Sequence, residues 1–244
     1  MHRSVLRSLR MHVGKAPKFS EWRGVLRSAF AEIEAIKDES ALPPLLPGTP
    51  EMRPRGHAAV TILWVPSLQG DSVDLVVFRK NAKLRHHASQ LAFPGGKKDP
   101  EDASFLDCAL RELHEELGVE ASQVEMLRAL DHSFLSFGSF LRVSAFVGIS
   151  ECRDFAIDPK EVQHVVRIPL AHVLSDEHYD PRGKMGMWRG PQWIADDDGP
   201  LWGFSARVLA EFCLELDRSL IRNDQSANAP RFKVSSDPCV QSQL

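Results

Sequence analysis

Two apolar, β-branched runs, Ala58 to Val65 and Val73 to Phe78, flank Pro66-Ser67-Leu68-Gln69-Gly70-Asp71, a segment with the composition of a turn. The pattern predicts a strand, a turn and a second strand. A third short strand is expected at Gln90 to Phe93, and Pro94-Gly95-Gly96 then forces another turn. From Asp102 to Leu117 the periodicity changes: Phe105, Leu106, Ala109, Leu110, Leu113 and Leu117 recur at helical spacing, and Gly118 sits where a helix stops. Leu141 to Ile149 and Val165 to Ile168 read as further strands, and Phe204 to Leu220 reads as a closing helix. Strands and helices interleave throughout, so the predicted class is α/β, with helical layers around a mixed sheet.

The flanks differ from this centre. Met1 to Ser20 has no acidic residue, and Arg3, Arg7, Arg10, Lys15 and Lys18 alternate with Val5, Leu6, Leu9 and Val13. Such a segment suits a basic mitochondrial presequence or the basic first helix of a cytoplasmic protein. Glu21 to Lys37 carries apolar residues at helical spacing, and Leu42 to Pro54, with five prolines, reads as a linker. The tail from Asn223, rich in Ser, Asn, Asp and Gln, is expected to be disordered. Its last residues, Ser242-Gln243-Leu244, resemble a peroxisomal address without the basic middle residue, the weakest of the three localisation readings. The expected division is thus an extension at 1–54, a main domain at 55–222 and a tail at 223–244.

Composition bounds the function. In 244 residues no run approaches the roughly 18 apolar residues of a membrane span, so no membrane partner is expected. A net charge of -3 supplies no field to draw the molecule onto nucleic acid. The four cysteines are scattered without a paired motif, as in a reducing compartment. Any anionic ligand must therefore be held by local chemistry.

That chemistry is concentrated in residues 96–119. At about 100° per residue, Glu112, Glu115 and Glu116 fall on one helix face, where like charges repel by a few tenths of a kcal/mol per pair. Hard divalent cations among the oxygens would turn that repulsion into binding, and Mg2+ (or Mn2+) suits carboxylates and substrate phosphates. Gly95-Gly96 lets the backbone approach the same cation, with a free carbonyl as an extra ligand. Arg111 is placed to orient a neighbouring carboxylate. An acidic stripe alone is a common solvated helix face; the glycine turn ahead of it is what distinguishes this one. Upstream, Arg79, Lys80, Lys83 and Arg85 put cations beside the turn. His86 and His87, as neighbours on an extended chain, point to opposite faces and make a poor zinc pair.

The segment resembles the Nudix box, whose second half, Arg-Glu-apolar-x-Glu-Glu-x-Gly-apolar, is matched at every fixed position from Arg111 to Val119. In the first half Asp102 stands in place of a glutamate, one residue farther from Arg111 than in the pattern. Leu84-Arg85-His86-His87-Ala88-Ser89-Gln90-Leu91-Ala92-Phe93-Pro94-Gly95-Gly96 is similar to the signature Leu-Arg-x-His-x-Gly-Gln-Val-x-Phe-Pro-Gly-Gly of the coenzyme A diphosphatase branch. Ser89 replaces its glycine, and Lys80 stands where an upstream arginine belongs. Trp202-Gly203-Phe204-Ser205-Ala206 resembles the entry to the last helix of the same branch.

The resemblance implies a Nudix α/β/α sandwich and hydrolysis of the diphosphate of coenzyme A or an acyl-coenzyme A to 3',5'-ADP and 4'-phosphopantetheine or its acyl form. It implies Gly96, Glu112, Glu115 and Glu116 as metal positions. Catalytic roles fall on Glu112, Glu115, Arg111 and Glu161, the last bringing a fourth carboxylate or serving as base. Lys80, Arg85, His87 and Gln90 become the substrate contacts. Ser89 and Lys80 keep open a Nudix diphosphatase for ADP-ribose, NADH or capped RNA, and a catalytically silent Nudix-like binding module is the rival of another class. A homodimer is left open.

Overall fold

A computed structural model describes residues 1, 3–14, 17–30, 42–50, 53–84, 87–186 and 188–228. Its centre is an eight-stranded mixed sheet. Strand β1 (Gly56–Pro66) pairs antiparallel with β2 (Val73–Lys80) and with the short β4 (Gly95–Lys97), and parallel with β7 (Leu141–Ser150). Two further strands, β3 (Leu91–Ala92) and β8 (Val162–Pro169), pair with β2, and β5 (Val124–Ala129) and β6 (Phe134–Leu135) pair with β7.

Side-chain alternation along β1 divides the interior into two layers. Ala58, Val60, Ile62 and Trp64 face a core shared with three helices, α1 (Arg3–Val13), α2 (Phe19–Ala29) and α5 (Gly203–Asn228). Ala59, Leu63 and Val65 face the opposite core, with α3 (Phe105–Leu117). The architecture is the expected α/β/α sandwich around a mixed sheet.

Helix α3 begins where its capping chemistry allows. Ser104 accepts the Asp107 amide at 3.0 Å, and Gly118 ends the helix in the left-handed region at φ 67°. Its buried face includes Leu113 and Leu117, each stabilising the fold by about 2 kcal/mol on burial. The start lies three residues later than the expected Asp102, because Asp102 has tertiary partners described below.

Residues 3–14 and 17–30, read from sequence as part of an extension, pack onto the sandwich. Leu6, Leu9, Trp22 and Leu26 are fully buried, and Trp22 meets Trp64 edge-on at 5.1 Å. Arg7 and Arg10 pair with Asp176 at 2.9 and 3.0 Å, and Arg23 and Arg27 both reach Glu125. The second helix ends at Ala29; the rest of its expected span lies at 31–37, outside the described residues. The closing helix runs beyond the expected Leu220 to Asn228, so the start of the expected tail is helical, while 229–244 lie outside the described residues.

Three strands that the sequence did not announce form a separate antiparallel sheet: β9 (Tyr179–Met185), β10 (Trp188–Ile194) and β11 (Pro200–Leu201). Pro181, Gly183, Gly190 and Pro191 depress their strand propensity, and the register shifts between Gly190 and Gln192. A one-turn helix, α4 (Leu170–Val173), links β8 to this sheet, and the buried Trp193 indole donates to the Val173 carbonyl at 2.9 Å.

Candidate active site

The site is built where β4 runs beneath the acidic face of α3. The expected turn at Gly95-Gly96 is itself a strand edge, with Gly95 opposite Val60 and Gly96 opposite Ala59. Gly95 has φ 145°, and a Cβ there would lie 2.2 Å from the Ala59 carbonyl oxygen, so only glycine fits. A Cβ on Gly96 would lie 2.4 Å from the Glu112 carboxylate. The two glycines thereby let helix and strand approach until the carboxylates lie against backbone.

Glu116 lies at the centre of this contact. It is 3% exposed, and its Oε2 accepts the Gly95 amide at 2.8 Å. Burial pushes its pKa up to about 8, opposed by the Gly95 hydrogen bond and the Lys80 charge. Burial also raises Glu112, which Arg111 relieves. The carboxylates of Glu112 and Glu161 both repel Glu116, and Glu115 and Glu161 repel Glu112, so four acids share one local field. Glu161 is brought there by the turn at 158–161: Asp158 donates its amide to the Glu116 carbonyl, Glu161 offers its carbonyl to the Asn81 amide, and the Asn81 side chain donates to Pro159.

Arg111 is the organiser. Its Nε and Nη2 reach the two oxygens of Asp102 at 3.0 Å each, Nη1 donates to both Glu112 and Glu115 at 2.9 Å, and Nη2 also donates to the Lys97 carbonyl. The bidentate partner is therefore Asp102, with Glu112 and Glu115 each held by a single bond. Asp102 is 7% exposed; the Arg111 hydrogen bonds hold its carboxyl below the usual range, and the same acids raise the guanidinium above its ordinary value. The substitution of aspartate for the pattern's glutamate is thus absorbed within a closed pair. Nothing in the sequence marked Asp102 as Arg111's partner except its position in the pattern, and the bracing of the 158–161 turn by Asn81 left no sequence signal.

The Gly96 carbonyl, expected free, faces the Cys108 thiol at 3.7 Å. That thiol is pushed up to about 12 by burial and by the Asp102 and Glu112 charges, which rules it out as a nucleophile near neutral pH. Lys80, at the end of β2, exchanges backbone hydrogen bonds with the 89–90 segment and faces Glu116 electrostatically. His87 and Gln90 meet each other at 3.0 Å, Nδ1 to Oε1. Arg85 and His86 lie outside the described residues. Arg79 is already engaged, donating to the Ser89 carbonyl at 2.6 Å and to Asp198. Asp198 also meets His164 at 2.6 Å, an arrangement that sequence reading missed.

Among the described residues, two triads bring metal-binding atoms within 4.8 Å of one another: His172, His178 and Asp196, and His132, Glu211 and Glu215. Neither includes an α3 glutamate; the carboxylates of Glu112 and Glu115 are both taken up by Arg111 Nη1.

Known proteins extend this picture. The NUDIX domain model matches residues 55–192. The chain is 31% identical over 163 residues to an uncharacterized Nudix hydrolase, NudL, of Photorhabdus laumondii, covering 66% of this chain and 84% of that protein. The NudL of Yersinia enterocolitica is 38% identical over 124 residues, 50% of this chain and 61% of that one. Among solved structures, a MutT/nudix family protein from Enterococcus faecalis overlaps 71% of this chain and 64% of its own at 14% identity, with a TM-score of 0.44. The match at 55–192 takes in more than half of the chain, including the glycine strand and the acidic helix laid across it, and the protein belongs to the Nudix family of hydrolases.

Proposed function

We propose that this Nudix hydrolase cleaves the diphosphate of coenzyme A or an acyl-coenzyme A, giving 3',5'-ADP and 4'-phosphopantetheine or its acyl form. The observation that carries the substrate assignment is the backbone at Ser89. It takes φ 58°, the left-handed conformation that favours glycine, at the one position where the coenzyme A signature has glycine and this chain does not. The loop keeps the shape that glycine would permit, which supports reading 84–96 as that signature despite the substitution. Lys80, His87 and Gln90 surround it, and with Arg85 they are the proposed substrate contacts.

The donor set fits magnesium or manganese. Glu112, Glu115 and Glu116 offer hard carboxylate oxygens on one helix face, and burial makes the charges of Glu112 and Glu116 costly until a cation joins them. These three would hold the metal, with the Gly96 carbonyl beside them. When bound, the ion neutralises phosphate oxygens and acidifies water. Arg111 holds Glu112 and Glu115 in place through Asp102. Glu161 is exposed and, among the described residues, has no ion pair, so it is the group best placed to take the proton of the attacking water.

A second reading, a diphosphatase for ADP-ribose, NADH or capped RNA, is favoured by Arg79. Its ties to Ser89 and Asp198 remove one of the cations that would meet the 3'-phosphate. The deciding experiment offers coenzyme A, acetyl and long-chain acyl thioesters, ADP-ribose and NADH with Mg2+, with products identified by mass spectrometry. The coenzyme A reading expects 3',5'-ADP and a kcat/KM for a coenzyme A substrate at least tenfold above the others. A higher value for ADP-ribose or NADH would replace it with the second reading.

A further inference from the structure

We propose that Asp198 is a positioning residue of the diphosphatase: it clasps Arg79 and, through that guanidinium, fixes the substrate loop at 87–90, so that the small sheet supports substrate binding. The inference rests on reading 84–96 as the substrate segment. Alternation along β2 sends Lys80 towards Glu116 and turns Arg79 to the opposite face, with Leu75 and Val77. His164 of β8 and Leu91 of β3 stand directly opposite Arg79, one on each side, and so share that face. The small sheet reaches the same face through Trp193, Ala195 and Leu201, which join Leu91 in the core there. Its turn at 196–198 is closed by its own backbone, the Asp198 amide donating to the Ala195 carbonyl at 2.9 Å and the Gly199 amide to the Asp196 carbonyl at 3.1 Å.

A single guanidinium joins loop to turn. Arg79 Nη1 donates to the Ser89 carbonyl at 2.6 Å, while Nη2 donates to the Asp198 carbonyl and lies 3.4 Å from its Oδ1. That oxygen also meets His164 Nε2 at 2.6 Å, which anchors the Asp198 carboxylate to β8. Ser89 sits at φ 58°, a region that residues other than glycine hold only with outside support. Here the support is the Arg79 bond to its carbonyl and the bond from its own amide to the Lys80 carbonyl at 3.1 Å. The Gln90 amide donates to the His87 carbonyl at 3.2 Å, so the two proposed substrate contacts in this loop move with Ser89. Loosening the guanidinium therefore displaces His87 and Gln90, whereas α3 and its glutamates pack on the other side of the sheet.

Two readouts separate positioning from general stability. In hydrogen exchange of the full-length protein, Asp198→Ala should speed exchange at 87–92 by about tenfold and leave α3 unchanged. With the substrate that the wild type prefers, the same variant should raise KM at least about fivefold while kcat stays within about twofold, because the loop binds substrate and the metal helix carries the chemistry. Asp198→Asn keeps an oxygen acceptor for His164 and Arg79 and should restore most of both. Should Asp198→Ala fail to fold, His164→Ala, altering a side chain that is 44% exposed, should move the same two readouts in the same direction. Unchanged exchange at 87–92 would overturn the clasp, and so would a fall in kcat at constant KM. The clasp is judged on the ratio of variant to wild type, and the coenzyme A reading on which substrate the wild type prefers, so either can fail alone.

Discussion

Arg111 carries more of the site than any glutamate. A single guanidinium closes a bidentate pair with the buried Asp102 and holds Glu112 and Glu115. Removing it leaves the buried Asp102 with the Asp99 amide but no counter-charge in contact, and breaking such a pair typically costs about 3 to 5 kcal/mol. Arg111→Gln is therefore expected to lower stability by roughly 3 kcal/mol in urea unfolding, and to lower kcat by at least about a hundredfold at temperatures where the variant stays folded. Arg111→Lys should recover little of either, since an ammonium cannot make the fork; recovery by lysine would show that charge alone matters. The sequence placed the three glutamates on one helix face and Arg111 beside them, because that inference needs only the helical repeat. It could not show that Arg111's strongest partner lies nine positions upstream, since that pairing depends on a loop folding back over the helix start. For the same reason Glu161 was legible as a candidate, while the Asn81 contacts that deliver its turn to the site were not.

Among the elements, the strands and helices with strong periodicity emerged near their expected positions: β1, β2, α3, β7 and α5. The elements that escaped notice are those whose order is imposed by tertiary contact. Strands β9 and β10 carry glycine and proline, and their pairing depends on the buried Tyr179 and Trp193, whose rings lie 4.7 Å apart. Helix α1 shows how one pattern serves two readings. The basic, amphipathic repeat that suggests a targeting segment also places Leu6 and Leu9 inside the core while Arg7 and Arg10 meet Asp176. If that packing contributes to stability, Leu9→Ala should cost about 2 to 5 kcal/mol, as for other buried leucines truncated in place. A change below about 0.5 kcal/mol in the denaturant midpoint analysis would mean that α1 adds nothing to the fold.

For the whole molecule, buried acids on opposite sides of the sheet set how stability responds to pH. Glu116 under β4 and Glu215 on α5 are both raised from 4.5 to about 8, burial being the main cause in each, with Asp131 adding repulsion at Glu215. For such groups the folded state prefers the neutral acid. Their stabilising contribution is complete below the unfolded value near 4.5 and disappears as pH rises through the folded value near 8. Each contribution is on the order of a few kcal/mol. Asp102 acts in the opposite sense: held low by Arg111, it contributes above its unfolded value and loses that contribution only as pH falls through its lowered one. The metal-free protein should therefore lose urea resistance steadily between about pH 4.5 and 8. Glu215→Gln, which keeps an acceptor for the Asp131 amide at 2.7 Å, should remove about half of that slope. Mg2+ should remove the part due to Glu116, since a carboxylate that ligates a cation stays ionised in the fold. A midpoint that stays level or rises over this range in metal-free protein would mean that water or local opening already solvates both glutamates, and the close seating of α3 on β4 would then have to be looser than the Gly95 contact implies.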